Sequence, residues 1–294
     1  MSHVATEISS QPQCWREAIT LAAGQPSGLP TKGERVAVAG CGTSWFMAHS
    51  YAALREEAGQ GVTDAFAASE MNRLSGYDRV IVLSRSGTTT EVLDLLGRLP
   101  SDVPTCALTA DPTAPIMEAA DTSIVLEFAD EQSVVQTRFA TTALVFLRAH
   151  LGQDLTASVQ DAERAVDQPL EEGLLTAEQF SFLGRGWTIG LAHEAALKMR
   201  EAAGAWTEAY PAMEYRHGPI SITGPNRVAW MLGKAPDGLP ADVARTGGLF
   251  VTSDLDPLAD LIRVQRLAVA LAEQRGVDPD NPRHLTRSVI LAGN

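Results

Sequence analysis

Five short apolar runs, RVAVAG (35–40), VTDAFA (62–67), RVIVLS (79–84), TCALT (105–109) and TSIVLEF (122–128), alternate with helical patterns over 44–58, 89–98 and 114–120. Runs without a polar face belong to strands covered on both sides, and parallel neighbours need a helix-length crossover between them. The alternation therefore predicts a doubly wound α/β half, a parallel sheet with helices on both faces. A second series begins at Phe182, where FLGRGWTIG supplies a strand and a glycine turn and 191–204 a helix. RVAWML (227–232) and GLFVTS (248–253) add two strands, and 256–275 reads as a long helix with Leu258, Leu261, Ile262, Leu267 and Leu271 apolar. Two similar α/β halves hint at an internal duplication. Residues 135–168 read as helical with a break near Gly152. Residues 1 to about 12 read as polar and loose, and 13–24 as an amphipathic helix with Trp15, Ile19 and Leu21 inward, ended by GQPSGLPTKG. The expected division is an N-terminal segment over 1–29, one domain over 30–152 and a second over 153–294 that includes a C-terminal active-site tail.

Composition narrows the function classes. The chain has 294 residues, a net charge of −13 and no Lys/Arg block, so the basic surface that nucleic-acid binding requires is missing. Cys14, Cys41 and Cys106 form no CxxC or Cys/His pattern, so neither a zinc site nor a disulfide framework is expected. No apolar run approaches the eighteen residues a membrane helix needs, and the first residues lack a basic and apolar leader. A cytoplasmic protein without a cofactor, metal, membrane or nucleic-acid partner is expected.

Five segments carry candidate chemistry. GCGTS (40–44) follows a strand and opens a helix; Gly40 and Gly42 permit a tight turn, and Thr43 and Ser44 stand at the positive end of the helix dipole. SRSGTTTEV (84–92) repeats that placement and crowds Ser84, Ser86, Thr88, Thr89 and Thr90 around Gly87. One cap needs one hydroxyl. Five suit the peripheral oxygens of a phosphate monoester, and both turns fall where open α/β sheets place their ligands. In HEAALKMREAAG (193–204), Glu194, Lys198 and Glu201 share one stripe of an otherwise apolar helix. A carboxylate beside an ammonium and partly desolvated is the arrangement for proton transfer at carbon. EAYPAMEYRHGPIS (208–221) sets His217 before a stiff Gly-Pro, and DNPRHLTRSVIL (280–291) is a late basic segment.

Together these motifs resemble the SIS (sugar isomerase) family, in particular the isomerase part of glucosamine-6-phosphate synthase and the stand-alone amino-sugar phosphate isomerases and deaminases. The match runs through GCGTS, SRSGTT, FLGRG, EAALKMRE, EAYPAMEYRHGP and NPRHLTRSV in the family's order. The resemblance implies two αβα SIS domains, each with a five-stranded parallel sheet, in a homodimer with shared active sites. It implies a phosphate cradle of Ser84, Arg85, Ser86 and Thr89, with Gly42, Thr43 and Ser44 beside the sugar and a backbone contact from Val134. It implies Glu201 as the base at C1/C2, Lys198 as its neighbour, Glu194 as the first glutamate of that helix, and His217 as the ring-opening residue, reaching across from a partner subunit.

Three departures from the pattern bear on the reaction. The chain shows no glutaminase domain and no N-terminal cysteine, so amidotransferase activity is not expected. Arg287, counted among the catalytic residues, stands where the family has a lysine; an arginine cannot form a Schiff base but can bind a carbonyl, carboxylate or acetamido oxygen of the substrate. Gln136 replaces a substrate-contacting serine and leaves the C2 substituent open. The expectation is a phosphosugar enzyme working at C1/C2 of a hexosamine or N-acetylhexosamine 6-phosphate, of the isomerase/deaminase type. A dehydratase acting on an N-acetylhexosamine 6-phosphate is the variant, and a non-catalytic phosphosugar-binding regulator is the alternative of another class.

Overall fold

The computed structural model describes residues 2–291. In chain order the helices are α1 (His3–Ser9), α2 (Gln11–Ala23), α3 (Thr43–Glu57), α4 (Thr90–Arg98), α5 (Ile116–Ala119), α6 (Arg138–His150), α7 (Thr156–Asp167), α8 (Thr188–Ala203), α9 (Leu239–Arg245) and α10 (Pro257–Gln274). The strands are β1 (Val36–Gly40), β2 (Thr63–Ala67), β3 (Arg79–Leu83), β4 (Thr105–Thr109), β5 (Thr122–Val125), β6 (Gln179–Gly184), β7 (Trp206–Pro211), β8 (Arg227–Met231) and β9 (Leu249–Val251). They form two all-parallel sheets, ordered β2-β1-β3-β4-β5 and β7-β6-β8-β9. Both place the first strand inside the second and then wind the other way, so the halves share one topology, with switch points between β1 and β3 and between β6 and β8.

The chain packs as two compact units that exchange their ends. One comprises Gln13–Leu155 and the chain from Thr286; the other comprises Thr156–Leu285 and the chain up to Pro12. These are not the contiguous blocks expected from the sequence. The tail from Thr286 belongs with the five-stranded sheet, and α1 belongs with the four-stranded one.

In the first unit, side chains alternate across the sheet. Ala37, Ala39, Val80, Val82 and Ala107 pack with Val92, Leu95 and Leu96 of α4 and with Ile116 of α5. The intervening Val36, Val38, Ile81, Leu83 and Leu108 are buried toward the opposite face, the period of two that a strand requires. Trp15 of α2 is fully buried and donates its indole N–H to Thr141 of α6 at 3.1 Å.

In the second unit, Phe180 stacks on Phe182 and Phe182 meets Trp230 at a tilt of 36°, each pair with ring centroids 6.2 Å apart. Trp230 donates to Asp260 of α10 at 3.0 Å, and the Arg263 guanidinium lies 5.0 Å over its ring. The alternate residues Leu183, Ala229 and Met231 pack with Leu239 and Val243 of α9 on the other side.

Several sequence expectations are corrected. Residues 3–9 form a helix rather than a loose segment: Ser2 caps it, Asp280 receives the N–H groups of His3 and Val4, and Gln11 donates to Gln265 of α10. In α2, Trp15 points inward as expected, but Ile19 and Leu21 are only half-buried. The strand β7 and the helix α9 were not anticipated. WTEAYP mixes polar and apolar residues because β7 is a sheet edge, covered less than the central strands. Among the described residues the second sheet has four strands, not five.

Candidate functional site

The two hydroxyl turns flank the switch point of the five-stranded sheet, at the carboxyl ends of the adjacent strands β1 and β3. Gly40 is obligatory in the first: a Cβ there would stand 2.7 Å from Ser44 Cβ and 2.9 Å from the Trp45 amide nitrogen. Its absence lets the start of α3 close onto the strand. Thr43 and Ser44 are buried in that first helical turn, and Gly42 is exposed. In the second turn Gly87 has φ +62°, and a Cβ would meet Ala114 and Ile116 at 2.5 and 2.7 Å.

The hydroxyls of the second turn form a cluster. Ser84 Oγ accepts from the Gly87 N–H at 3.2 Å, and Ser86 Oγ accepts from the Thr88 N–H at 3.3 Å. Thr88 Oγ1 lies 3.0 Å from Ser86 Oγ and 2.9 Å from Ser288 Oγ, which also lies 3.5 Å from Thr89 Oγ1. Thr89 is the N-cap residue of α4, yet its hydroxyl caps nothing. Ser288 comes from the tail, which is laid along this turn. The Thr90 N–H donates to Val289 O at 3.2 Å, and the Leu291 N–H donates to Thr90 Oγ1 at 3.0 Å.

Arg85 and Arg287 are both committed to protein groups. Arg85 is buried; it faces Glu131 and donates to the carbonyl oxygens of Ser133, Val134 and Arg287. Arg287 donates to Glu131 O at 3.1 Å and bonds the Asp130 carboxylate. The carbonyl of Val134, the residue expected to make a backbone contact with the sugar, accepts from Arg85. Gln136 Oε1 is buried without a hydrogen-bond partner. Cys41, between the two glycines, has its thiol pushed up to about 11 by burial and by the nearby Glu91 carboxylate. Ser288, Asp130 and Glu131 were missed in the sequence; an acidic residue five or more positions before a helix is no recognised cap signal, and a serine in a tail has no local pattern.

In the four-stranded unit, α8 carries the acid–base stripe. Apolar Leu191, Ala192, Ala195, Ala196, Met199, Ala202 and Ala203 bury it, and Gly204, in the left-handed region, ends it by donating to Arg200 O. Gly184 repeats the role of Gly40, with a Cβ 2.2 Å from Thr188 O. Lys198 and Glu194 are buried, with Lys198 Nζ 3.5 Å from Glu194 Oε1. The same ammonium hydrogen-bonds Glu201 Oε2, whose side chain keeps 20% exposure. Glu194 is thereby sealed, and Glu201 is the carboxylate open to a small molecule. His217 is exposed at the end of a 3-10 turn over Glu214–His217, before Gly218 and Pro219. The structure thus gathers Glu194, Lys198 and Glu201 in one unit. It gathers Ser84, Arg85, Ser86, Thr89, Val134 and Arg287 in the other.

Residues 31–150, which hold both hydroxyl turns and Glu131, match the SIS domain model. Among relatives of this chain, the isomerizing glutamine--fructose-6-phosphate aminotransferase of Sulfolobus acidocaldarius is 28% identical over 295 residues, covering 87% of this chain and 50% of that protein. The enzyme of the same name from Neisseria meningitidis serogroup B is 29% identical over 317 residues, covering 87% and 51%. The chain spans about half the length of the curated relatives it matches. In fold it is similar to a glucosamine-6-phosphate deaminase from Thermotoga maritima, with a TM-score of 0.84 at 22% identity over 99% of this chain and 100% of that one. It is also similar to a tagatose-6-phosphate ketose/aldose isomerase from Escherichia coli, with a TM-score of 0.77 at 16% identity over 100% and 97%. No helix among the described residues is long and apolar enough to cross a membrane.

Proposed function

We propose that this protein is a SIS-family enzyme acting at C1/C2 of an amino-sugar 6-phosphate, of the aldose–ketose isomerase or deaminase type. The observation that carries the reading is the division of labour on α8, where Lys198 is buried between a sealed Glu194 and an accessible Glu201. A general base must reach its substrate, and the charge beside it must be held in place. The hydroxyl turn over Ser84–Thr90 is assigned to the phosphate, with Thr43 and Ser44 beside the sugar chain and His217 opening the ring.

In this scheme the Glu201 carboxylate takes the C2 proton of the open-chain aldose, and the C–H electrons form the C1–C2 double bond as the C1 oxygen becomes an enolate. Lys198 stabilises the negative charge. The C2 hydroxyl then gives its proton to the C1 oxygen, and return of the abstracted proton at C1 forms the C2 carbonyl of the ketose; with an amine at C2 the N–H proton passes instead and an imine forms, which water hydrolyses to the ketose and ammonia. Arg287 takes no imine step; its guanidinium, tied to Asp130 and Glu131, holds the tail. A homodimer with shared sites belongs to the same proposal.

The test is a panel of hexose, hexosamine and N-acetylhexosamine 6-phosphates assayed for ketose, ammonia and an unsaturated product, with Glu201→Gln as the control. Ketose or ammonia is expected from an amino sugar, and Glu201→Gln should stop exchange of the C2 proton with solvent deuterium. An unsaturated product would replace this reading with a dehydratase. No product from any sugar would replace it with a phosphosugar-binding regulator.

A further inference from the structure

Arg85 lies two residues beyond the end of β3 and is 4% exposed. A guanidinium has five N–H donors in a fixed fork. Nη1 donates to Ser133 O at 3.2 Å and faces Glu131 Oε2 at 3.4 Å. Nη2 donates to Val134 O at 3.3 Å and to Arg287 O at 2.8 Å. Both η nitrogens are thus spent on the protein, and only Nε is left without a partner. The acceptor side is equally committed. Glu131 is 1% exposed, and its other oxygen receives the Thr137 N–H at 2.5 Å, the Thr137 hydroxyl at 2.8 Å and the Arg138 N–H at 2.8 Å, closing the start of α6. A continuous line of bonds therefore runs from α6 through Glu131 to Arg85, and on to the backbone of the 133–134 loop and of the tail.

An arginine that clamps a phosphate presents two parallel N–H groups to it. Arg85 has no such pair to offer. We propose that Arg85 is a positioning residue of the phosphate cradle, not a ligand of the anion. Its fork fixes the Ser133–Val134 backbone and pins the tail at Arg287, so that Ser288 meets Thr88 and Thr89. The kinetic arm of the test rests on the phosphosugar reading; the exchange arm does not.

Hydrogen exchange on the full chain compares wild type, Arg85→Lys and the double variant Arg85→Gln/Glu131→Gln, which leaves no buried unpaired charge. A lysine ammonium keeps the charge as a single point and cannot span four acceptors. In both variants the amides of Thr90 and Leu291, which bond Val289 O and Thr90 Oγ1, should exchange at least tenfold faster. With a hexosamine 6-phosphate, kcat should fall tenfold or more while KM moves less than threefold. Wild-type exchange at both amides in Arg85→Lys, together with tenfold weaker binding of inorganic phosphate, would make Arg85 a direct anion ligand and overturn the proposal. A wild-type chain that turns over no phosphosugar sinks the catalytic reading alone, because the exchange result still decides the role of Arg85.

Discussion

Replacing Lys198 by methionine separates the structural from the chemical duty of the α8 stripe. The ammonium is 1% exposed and serves two carboxylates, Glu194 with no exposed side-chain surface and Glu201 with 20%. Methionine fills much of the volume but leaves Glu194 charged without its lysine in a region that water does not reach. Removing one member of a buried ion pair costs about 3–5 kcal/mol, because the remaining charge has lost its compensation. For a domain of this size that corresponds to a fall in Tm on the order of 10 °C. Adding Glu194→Gln to Lys198→Met removes the sealed charge and should recover more than half of the loss. Glu201→Gln leaves the sealed pair intact, so its stability cost should stay near about 1 kcal/mol, the usual worth of one hydrogen bond. Urea unfolding followed by circular dichroism reads all four proteins. A Lys198→Met variant within 0.5 kcal/mol of wild type, or no recovery in the double variant, would refute the assignment of Glu194 as the sealed partner.

Further expectations follow from individual contacts. Gly40→Ala must push the start of α3 away from β1, at about 1–3 kcal/mol of overpacking, and thermal unfolding that matches wild type would show that the turn yields. The Cys41 thiol, pushed up to about 11, should show an iodoacetamide rate that keeps rising beyond pH 9, and a plateau below that would contradict its burial beside Glu91. Asp121 bonds the Thr105 N–H and hydroxyl, both at 2.8 Å, and these bonds hold its carboxyl below the ordinary value of 3.8. Because the folded value is depressed, its contribution is full above 3.8 and is lost as pH falls through the folded value. Asp121→Ala should therefore be less stable than wild type at pH 7, by no more than a few tenths of a kcal/mol for so exposed a carboxylate, with the gap closing in acid; a gap independent of pH would show that the carboxylate charge is not what holds Thr105.

The alternation of apolar runs and helical patterns was enough to place eight of the nine strands found among the described residues, since buried parallel strands leave an unbroken hydrophobic signature. It was not enough for β7, whose edge position removes that signature. The stripe of Glu194, Lys198 and Glu201 was legible because helical spacing alone sets it. Which carboxylate is sealed and which is open was not, because burial depends on what packs against the helix.

The sequence by itself determined two α/β halves, two hydroxyl turns at strand ends and one acid–base helix, all of them features of local spacing and local conformation. Tertiary structure alone decided that the tail returns to the first sheet and brings Ser288 to Thr88, and that Arg85 spends its donors on Glu131 and on backbone carbonyls while Glu131 accepts from Arg85, Thr137 and Arg138. Those contacts join residues as many as 202 positions apart. No local pattern encodes them, because they exist only once burial has removed the water that each charged or polar group would otherwise bind.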